Sequence, residues 1–325
     1  VTVSRRAVTV SDRSRMRQSC GPLRSSLYGS CIGGSHDTRA AAEDSVDGMV
    51  VTFHGVRGST PCHGDEIVRY GGNTSCVSVD IPGHAPILFD LGTGLRYFGA
   101  SRPVDEPFVG TCLLSHLHWD HIQGLPFFKP LLREGADVAI SAPVQDEGVT
   151  VEQVFADTIK PPLFPIHFSM FPGMVDFHEV GDQEFQIGEA RVMSRLIPHV
   201  GNTIGYRIEW KGRSVVYLSD HQMPPDGSFS APPGVFDLCH GADLLIHDAQ
   251  YTAEEFATKR DWGHCTPEFA LWLAEKADVE QLALFHHDPA HDDDTLDHML
   301  APVIACGRAG GIEVFAARER TSVTL

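Results

Sequence analysis

The sequence predicts an α/β fold of four layers, αββα, with two β-sheets sandwiched between helical layers in one domain over residues 49–325. Three observations carry this. Short apolar or alternating runs bounded by Gly, Pro or Asp dominate the first half of that stretch. Two stretches in the middle read as hairpins. In the last third, strand-like runs are separated by helical ones.

Taken in order, residues 1–48 are rich in Ser, Arg and Gly and show no sustained period. They read as a disordered extension or a mis-called gene start, with a targeting segment as the alternative. "MVVTFHGVRGS" then begins at Met49 with a strand. "CVSVDI" (76–81), "APILFDLG" (85–92) and "FVGTCLLS" (108–115) are strands, and "HLHWDH" follows the last of them on a loop at its C-terminal end. "DVAISAP" (137–143) is another strand. "FQIGEARVMSRLIPH" (185–199) is a hairpin turning at Gly188-Glu189, and "YRIEWKGRSVVYLSD" (206–220) one turning at Lys211-Gly212. "ADLLIHDA" (242–249), "QLALFHHD" (281–288) and "GIEVFAA" (311–317) are strands with helices between. One of those helices opens with Thr266 as N-cap, Pro267 in the first turn and Glu268 near the positive end of the dipole.

Three other stretches are open to more than one reading. The acidic run "HDDDTLDH" (291–298) reads as the opening of a helix ahead of a metal cluster. The glycines at 55–58 and 92–94 read as turns ahead of phosphate contacts. "KPPLFPIHFSMFPG" (160–173) is an apolar flap over a cleft, a homodimer contact, or ordinary packing.

The chain of 325 residues carries 43 acidic against 25 basic side chains, a formal charge of −18. The first 48 residues, with seven Arg and five acids, stand near +2, which leaves the remainder near −20. Such a body repels phosphate backbones, so a partner as long as a nucleic acid is disfavoured. Small anionic substrates stay open, because bound cations reverse the field locally. The eight cysteines are scattered without a CxxC pair, as expected of reduced thiols in the cytoplasm. No apolar run is long enough for a membrane span, and no signal-peptide core is present.

The chemistry concentrates at His116, His118, Asp120 and His121. Imidazole and carboxylate suit Zn, Fe or Mn. An extended HxH segment turns two imidazoles to one side, and Asp120 and His121, after the chain bends, can face a second ion. A histidine-rich surface loop is the plainer reading, which four ligand-type residues in six directly after an apolar strand outweigh.

"HLHWDH" resembles the HxHxDH signature of the metallo-β-lactamase-fold hydrolases. The resemblance extends over 49–325, with His199 in "LIPHVGNTIGYRI", Asp220 in "VVYLSDH" and His286 in "LALFHHDP" following in order. It implies that His116, His118 and His199 bind one ion, that Asp120, His121 and His286 bind the other, and that Asp220 lies between; His287 is the rival of His286. "HDAQYT" and "WGHCT" are similar to segments of ribonuclease Z and its phosphodiesterase relatives. "GVRGSTP", "YGGNTSCV" and "DLGTG" resemble class II cyclic-nucleotide and phosphoribosyl cyclic phosphodiesterases. The long basic arm with which ribonuclease Z grips tRNA is missing, as is the CxC pattern of the phosphoribosyl enzymes.

By that resemblance two divalent ions are expected, Zn2+ first, with Mn2+ or Fe as alternatives. The implied activity is hydrolysis of a small phosphodiester, with a cyclic nucleotide as candidate, by attack of a metal-bridging hydroxide. Asp120 orients that hydroxide, Asp248 fixes ligand geometry from behind, and His264 contacts phosphate and protonates the leaving alkoxide. Two rivals remain: a thioester or lactone hydrolase on the same metals, and a non-hydrolytic metal- or redox-binding protein.

Overall fold

The computed structural model of the chain describes residues 48–145 and 148–325. The expectation for residues 1–48 falls, but for Gly48, outside them. In the first sheet, β1 (Val50–Gly55), β2 (Cys76–Asp80) and β3 (Ile87–Phe89) pair antiparallel. Then β4 (Val109–Leu113), β5 (Asp137–Pro143) and β6 (Met174–Val180) continue it in parallel. The second sheet begins with β7 (Gln183–Ile187), β8 (Ala190–Leu196), β9 (Ile204–Trp210) and β10 (Arg213–Leu218), all antiparallel. It continues in parallel through β11 (Leu244–Asp248), β12 (Gln281–Phe285) and β13 (Glu313–Ala316). The last strand, β14 (Ser322–Thr324), returns to the first sheet beside β1.

The layers follow from alternation along the strands. On β10, Val215 and Tyr217 point into the cluster between the sheets, where they meet Phe53, Phe89 and Phe285. Val216 and Leu218 point the other way, onto the helical face formed by α4 (Pro233–Cys239), α6 (Pro267–Lys276) and α7 (Asp293–Gly310). A third cluster packs α1 (Leu95–Ala100) and α3 (Val151–Thr158) against the outside of the first sheet. Strands so buried on both faces read as continuous apolar runs, which is the pattern of "LLI" and "LALF". Burying each such side chain contributes about 1.5–3 kcal/mol, and both sheets do so on two faces.

The expected strands and hairpins all form. β7 and β8 turn at Gly188-Glu189, with Ile187 opposite Ala190, and β9 and β10 at Lys211-Gly212, with Trp210 opposite Arg213. Thr266 caps α6 by accepting from the Phe269 amide, and Asp292 caps α7, so the acidic run opens a helix. In the 160–173 stretch Phe171 is buried and Phe164 and Phe168 pack against the third cluster, while Leu163 and Met170 are exposed. Strands β6 and β14 had no counterpart in the sequence reading. No helix among the described residues is long and apolar enough to cross a membrane.

Candidate metal centre

Every expected ligand follows the C-terminal end of a strand, where parallel sheets leave a crevice. His116 lies three residues beyond β4, His199 three beyond β8, Asp220 two beyond β10, and His286 directly after β12. His118 is the extended N-cap residue of the single-turn helix α2 (Trp119–Ile122). The chain therefore reverses between the HxH pair and Asp120-His121, which occupy the buried side of that turn.

Three groups of potential ligand atoms result. His116, His118, His199 and Asp220 form one, Asp120, His121 and His286 another, and Asp220, His264 and His286 a third, with the atoms of each group within 4.8 Å of one another. Asp220 belongs to the first and the third, and its carboxylate also faces His121 of the second. Its Oδ1 lies 3.8 Å from Nε2 of His116 and of His199. Its Oδ2 lies 3.1 Å from Nε2 of His121 and 3.2 Å from Nε2 of His286. Asp120 Oδ2 is 3.2 Å from His121 Nε2 and 3.3 Å from His286 Nε2.

Behind them, a set of acceptors orients each ring. Nδ1 of His121 meets Asp90 Oδ2 at 2.7 Å, Nδ1 of His199 meets the Gly263 carbonyl at 2.8 Å, and Nδ1 of His286 meets Gln250 Oε1 at 2.8 Å. Ser115 Oγ lies 3.0 Å from His116 Nδ1 and donates to Asp90, which also accepts from Tyr217. In these four rings Nε2 is thereby turned into the centre, whereas His118 presents Nδ1, 3.1 Å from His199 Nε2.

The electrostatics divide the first two groups. Burial holds His116 and His118 below the ordinary imidazole value and brings His199 down to about 4, so these rings are neutral at pH 7. Burial acts the same way on His121 and His286. There the carboxylates outweigh it, Asp120, Asp220 and Asp90 around His121 and Asp220, Asp120 and Asp248 around His286. His121 is held well above its usual value and His286 is raised to about 10. Nε2 of His116 and of His121 is buried without a hydrogen-bond partner. Buried imidazole nitrogens that make no hydrogen bond and converge with carboxylates are what a divalent cation satisfies, taking the place of the proton on His121, so the residues fit a metal.

Strain gathers at the same place. Seven described residues other than glycine adopt positive φ, and four of them are Ser59 (61°), Asp90 (58°), Asp220 (58°) and His286 (59°). Such corners cost energy and persist where surrounding contacts over-determine them. Gly58 needs its missing side chain, because a Cβ there would overlap the His286 ring.

Further residues complete the picture. Asp248 Oδ2 accepts from His264 Nδ1 at 2.8 Å, and its Oδ1 accepts from the Cys265 amide at 3.1 Å. The His264 ring stacks on His286 with centroids 5.1 Å apart. His287 turns away, its Nε2 3.0 Å from the Ala317 carbonyl, so His286 is the member that joins the cluster. Sequence reasoning missed Asp90, Ser115, Tyr217, Gln250 and Ser59, whose amide donates to Asp120 Oδ2 at 2.7 Å. Asp90 in "DLGTG", Ser59 in "GVRGSTP" and Gln250 in "HDAQYT" stood in motifs read for their resemblance, but none was assigned a role.

The profile of the beta-lactamase superfamily domain matches residues 86–287, well over half the chain and every candidate ligand. A ribonuclease Z of Streptococcus suis is 26% identical over 249 residues, covering 62% of this chain and 79% of its own. Among solved structures, the metallo-beta-lactamase fold protein YhfI from Bacillus subtilis superposes with a TM-score of 0.62 at 20% identity, over 86% of this chain and 100% of its own. A diphosphatase of the PhnP family gives 0.61 at 18%, over 85% and 98%. Relatives named as ribonucleases lend no support to the expectation that nucleic acid is disfavoured. On the matched profile and the histidine–aspartate centre it encloses, the chain belongs to the beta-lactamase superfamily, as a metal-dependent hydrolase of that fold.

Proposed function

We propose that the protein hydrolyses a small phosphodiester at a dinuclear centre, with Zn2+ the first candidate metal. The observation that carries this reading is the Asp248–His264 pair beside the bridging carboxylate, His264 Nδ1 standing 2.8 Å from Asp248 and 3.8 Å from Asp220. When bound, two divalent ions lower the pKa of a water nucleophile and neutralise the phosphate oxygens. His116, His118 and His199 would hold one, Asp120, His121 and His286 the other, and Asp220 would serve both.

The chain's own groups do the rest. Asp120, kept in place by the Ser59 amide, orients the attacking water with its remaining lone pairs. Asp248 holds His264 by Nδ1, which leaves Nε2 without a protein partner among the described residues and free to serve the substrate. In its doubly protonated form the ring passes the Nε2 proton to the departing alkoxide and keeps the Nδ1 proton on Asp248, ending as neutral imidazole, a role worth on the order of 10²–10⁴-fold in rate. Capping of α6 falls to Thr266, so His264 is not needed for it. The six described cysteines are free, in keeping with a cytoplasmic enzyme.

The test compares bis(p-nitrophenyl) phosphate, cyclic AMP, a lactone and nitrocefin, with metal content measured alongside. Turnover of the phosphodiesters alone is expected; preference for the lactone or nitrocefin overturns the reading. For His264→Ala we expect both metals to be retained. Hydrolysis of an alkyl or cyclic diester should fall roughly 10²-fold or more beyond the loss on the nitrophenyl ester, whose leaving group needs no proton. Equal losses on both remove the general-acid role. Ribonuclease activity is the second reading, favoured by the names of the curated relatives; cleavage of a tRNA-containing RNA tests it, against the acidic balance of the chain.

A further inference from the structure

A cavity of about 630 Å3 lies close along the chain to the metal centre, with none of the candidate ligands in its wall. Pro61 and Gly124 in its wall tie it there by short covalent paths. Gly124 is three residues from His121, so their Cα atoms are within roughly 11 Å. Pro61 is two residues from Ser59, whose amide is on Asp120, and so within roughly 8 Å of that corner. Neither residue is a ligand, and the metal centre does not require this space.

The wall has a specific chemistry. Phe127 and Leu132 are exposed there, Phe127 to 60%, with Arg96 and Lys129 beside them. Its other polar side chains are already engaged: the Asn73 amide donates to Glu319, and Thr93 Oγ1 accepts from the Thr74 amide. Arg96 and Lys129 are not. Neither forms an ion pair among the described residues, and the only partner of the Arg96 guanidinium is the Tyr97 ring at 5.7 Å. In a chain of net charge −18, two uncompensated cations share one cavity with an aromatic ring. Like charges left together without a counter-ion are what an anionic ligand neutralises, and guanidinium geometry suits phosphate oxygens. The volume falls in the range of nucleotide-sized ligands.

We propose that this cavity is a recognition subsite for a second phosphate of the substrate. The diester cleaved at the metals belongs to a nucleotide-like molecule whose further phosphate is held by Arg96 and Lys129 while its flat ring lies against Phe127. The proposal rests on the phosphodiesterase reading above.

The experiment uses the full chain loaded with metal and two substrates that differ by one phosphate, thymidine 5′-(p-nitrophenyl phosphate) and the same ester with a 3′-phosphate. The wild type is expected to favour the 3′-phosphorylated ester in kcat/KM by roughly tenfold or more. In R96A/K129A that ratio falls to near unity, Arg96→Lys keeps most of it, and Lys211→Ala, on a hairpin turn of the other sheet, leaves it unchanged. Being a ratio, it is insensitive to a general loss of activity. A wild type without the preference, or a double variant that retains it, overturns the subsite. Bis(p-nitrophenyl) phosphate separately scores the phosphodiesterase reading. If no ester is hydrolysed, calorimetry on thymidine 3′,5′-bisphosphate against thymidine 5′-monophosphate carries the same comparison. A tenfold wild-type preference lost in the double variant supports the subsite, and equal affinities in the wild type sink it.

Discussion

Asp220 turns one oxygen to each half of the centre, so its loss cannot be confined to one ion. Asp220→Ala is expected to lower occupancy at both positions, read by elemental analysis of folded protein; one tightly bound ion in fully loaded wild type contradicts a dinuclear site. Asp90 acts a step further out. It accepts from His121, Ser115 and Tyr217 inside the core, so Asp90→Ala should weaken metal binding by roughly 10–100-fold, measured by chelator competition. An unchanged affinity would reduce Asp90 to a packing residue. The candidate ligands were legible in the sequence because four of them stand within six residues, and imidazole and carboxylate declare their chemistry by type. Asp90, Gln250 and Ser59 were not. Their partners lie 31, 36 and 61 residues away, and only strand pairing and loop closure bring them into contact.

At the scale of the element, local chemistry was the readable part. The two hairpin turns use Gly188 and Gly212 at φ 58° and 79°, and such glycines are visible as punctuation. The cap of α6 was equally explicit, and Thr266→Ala should cost about 1 kcal/mol, seen as a lower denaturant midpoint with an unchanged slope. No change would mean that water replaces the hydroxyl. β6 and β14 were illegible for opposite reasons. β6 is an edge strand whose residues are mostly exposed or half-buried, so no buried face marks it. β14 has only three residues, and its existence depends on β1, 270 residues earlier, where Thr52 and Ser322 share a hydrogen bond. Arg57 has a similar long reach. Fully buried, it bonds the carbonyls of Gly71, Asp288 and His291 and so fixes the loop that carries Ser59.

Among the described residues, the three main hydrophobic clusters begin at Met49, and Met49 and Leu325 exchange backbone hydrogen bonds that close the first sheet. A chain beginning at Met49 is therefore expected to melt as the full chain does and to retain hydrolysis; loss of either would give residues 1–48 a role that their composition does not suggest. The two-sheet architecture was legible because burial on both faces writes unbroken apolar runs, whereas the packing of one sheet on the other leaves no local trace. The direction of the strands has one more use. β10 runs from Arg213 towards Asp220, so the turn at Lys211-Gly212 sits at the opposite end of the sheet from the metals. Gly212 there has open space around it. A reporter domain or a surface tether spliced into that turn would leave the catalytic end facing solution, and the enzyme could be immobilised in a defined orientation.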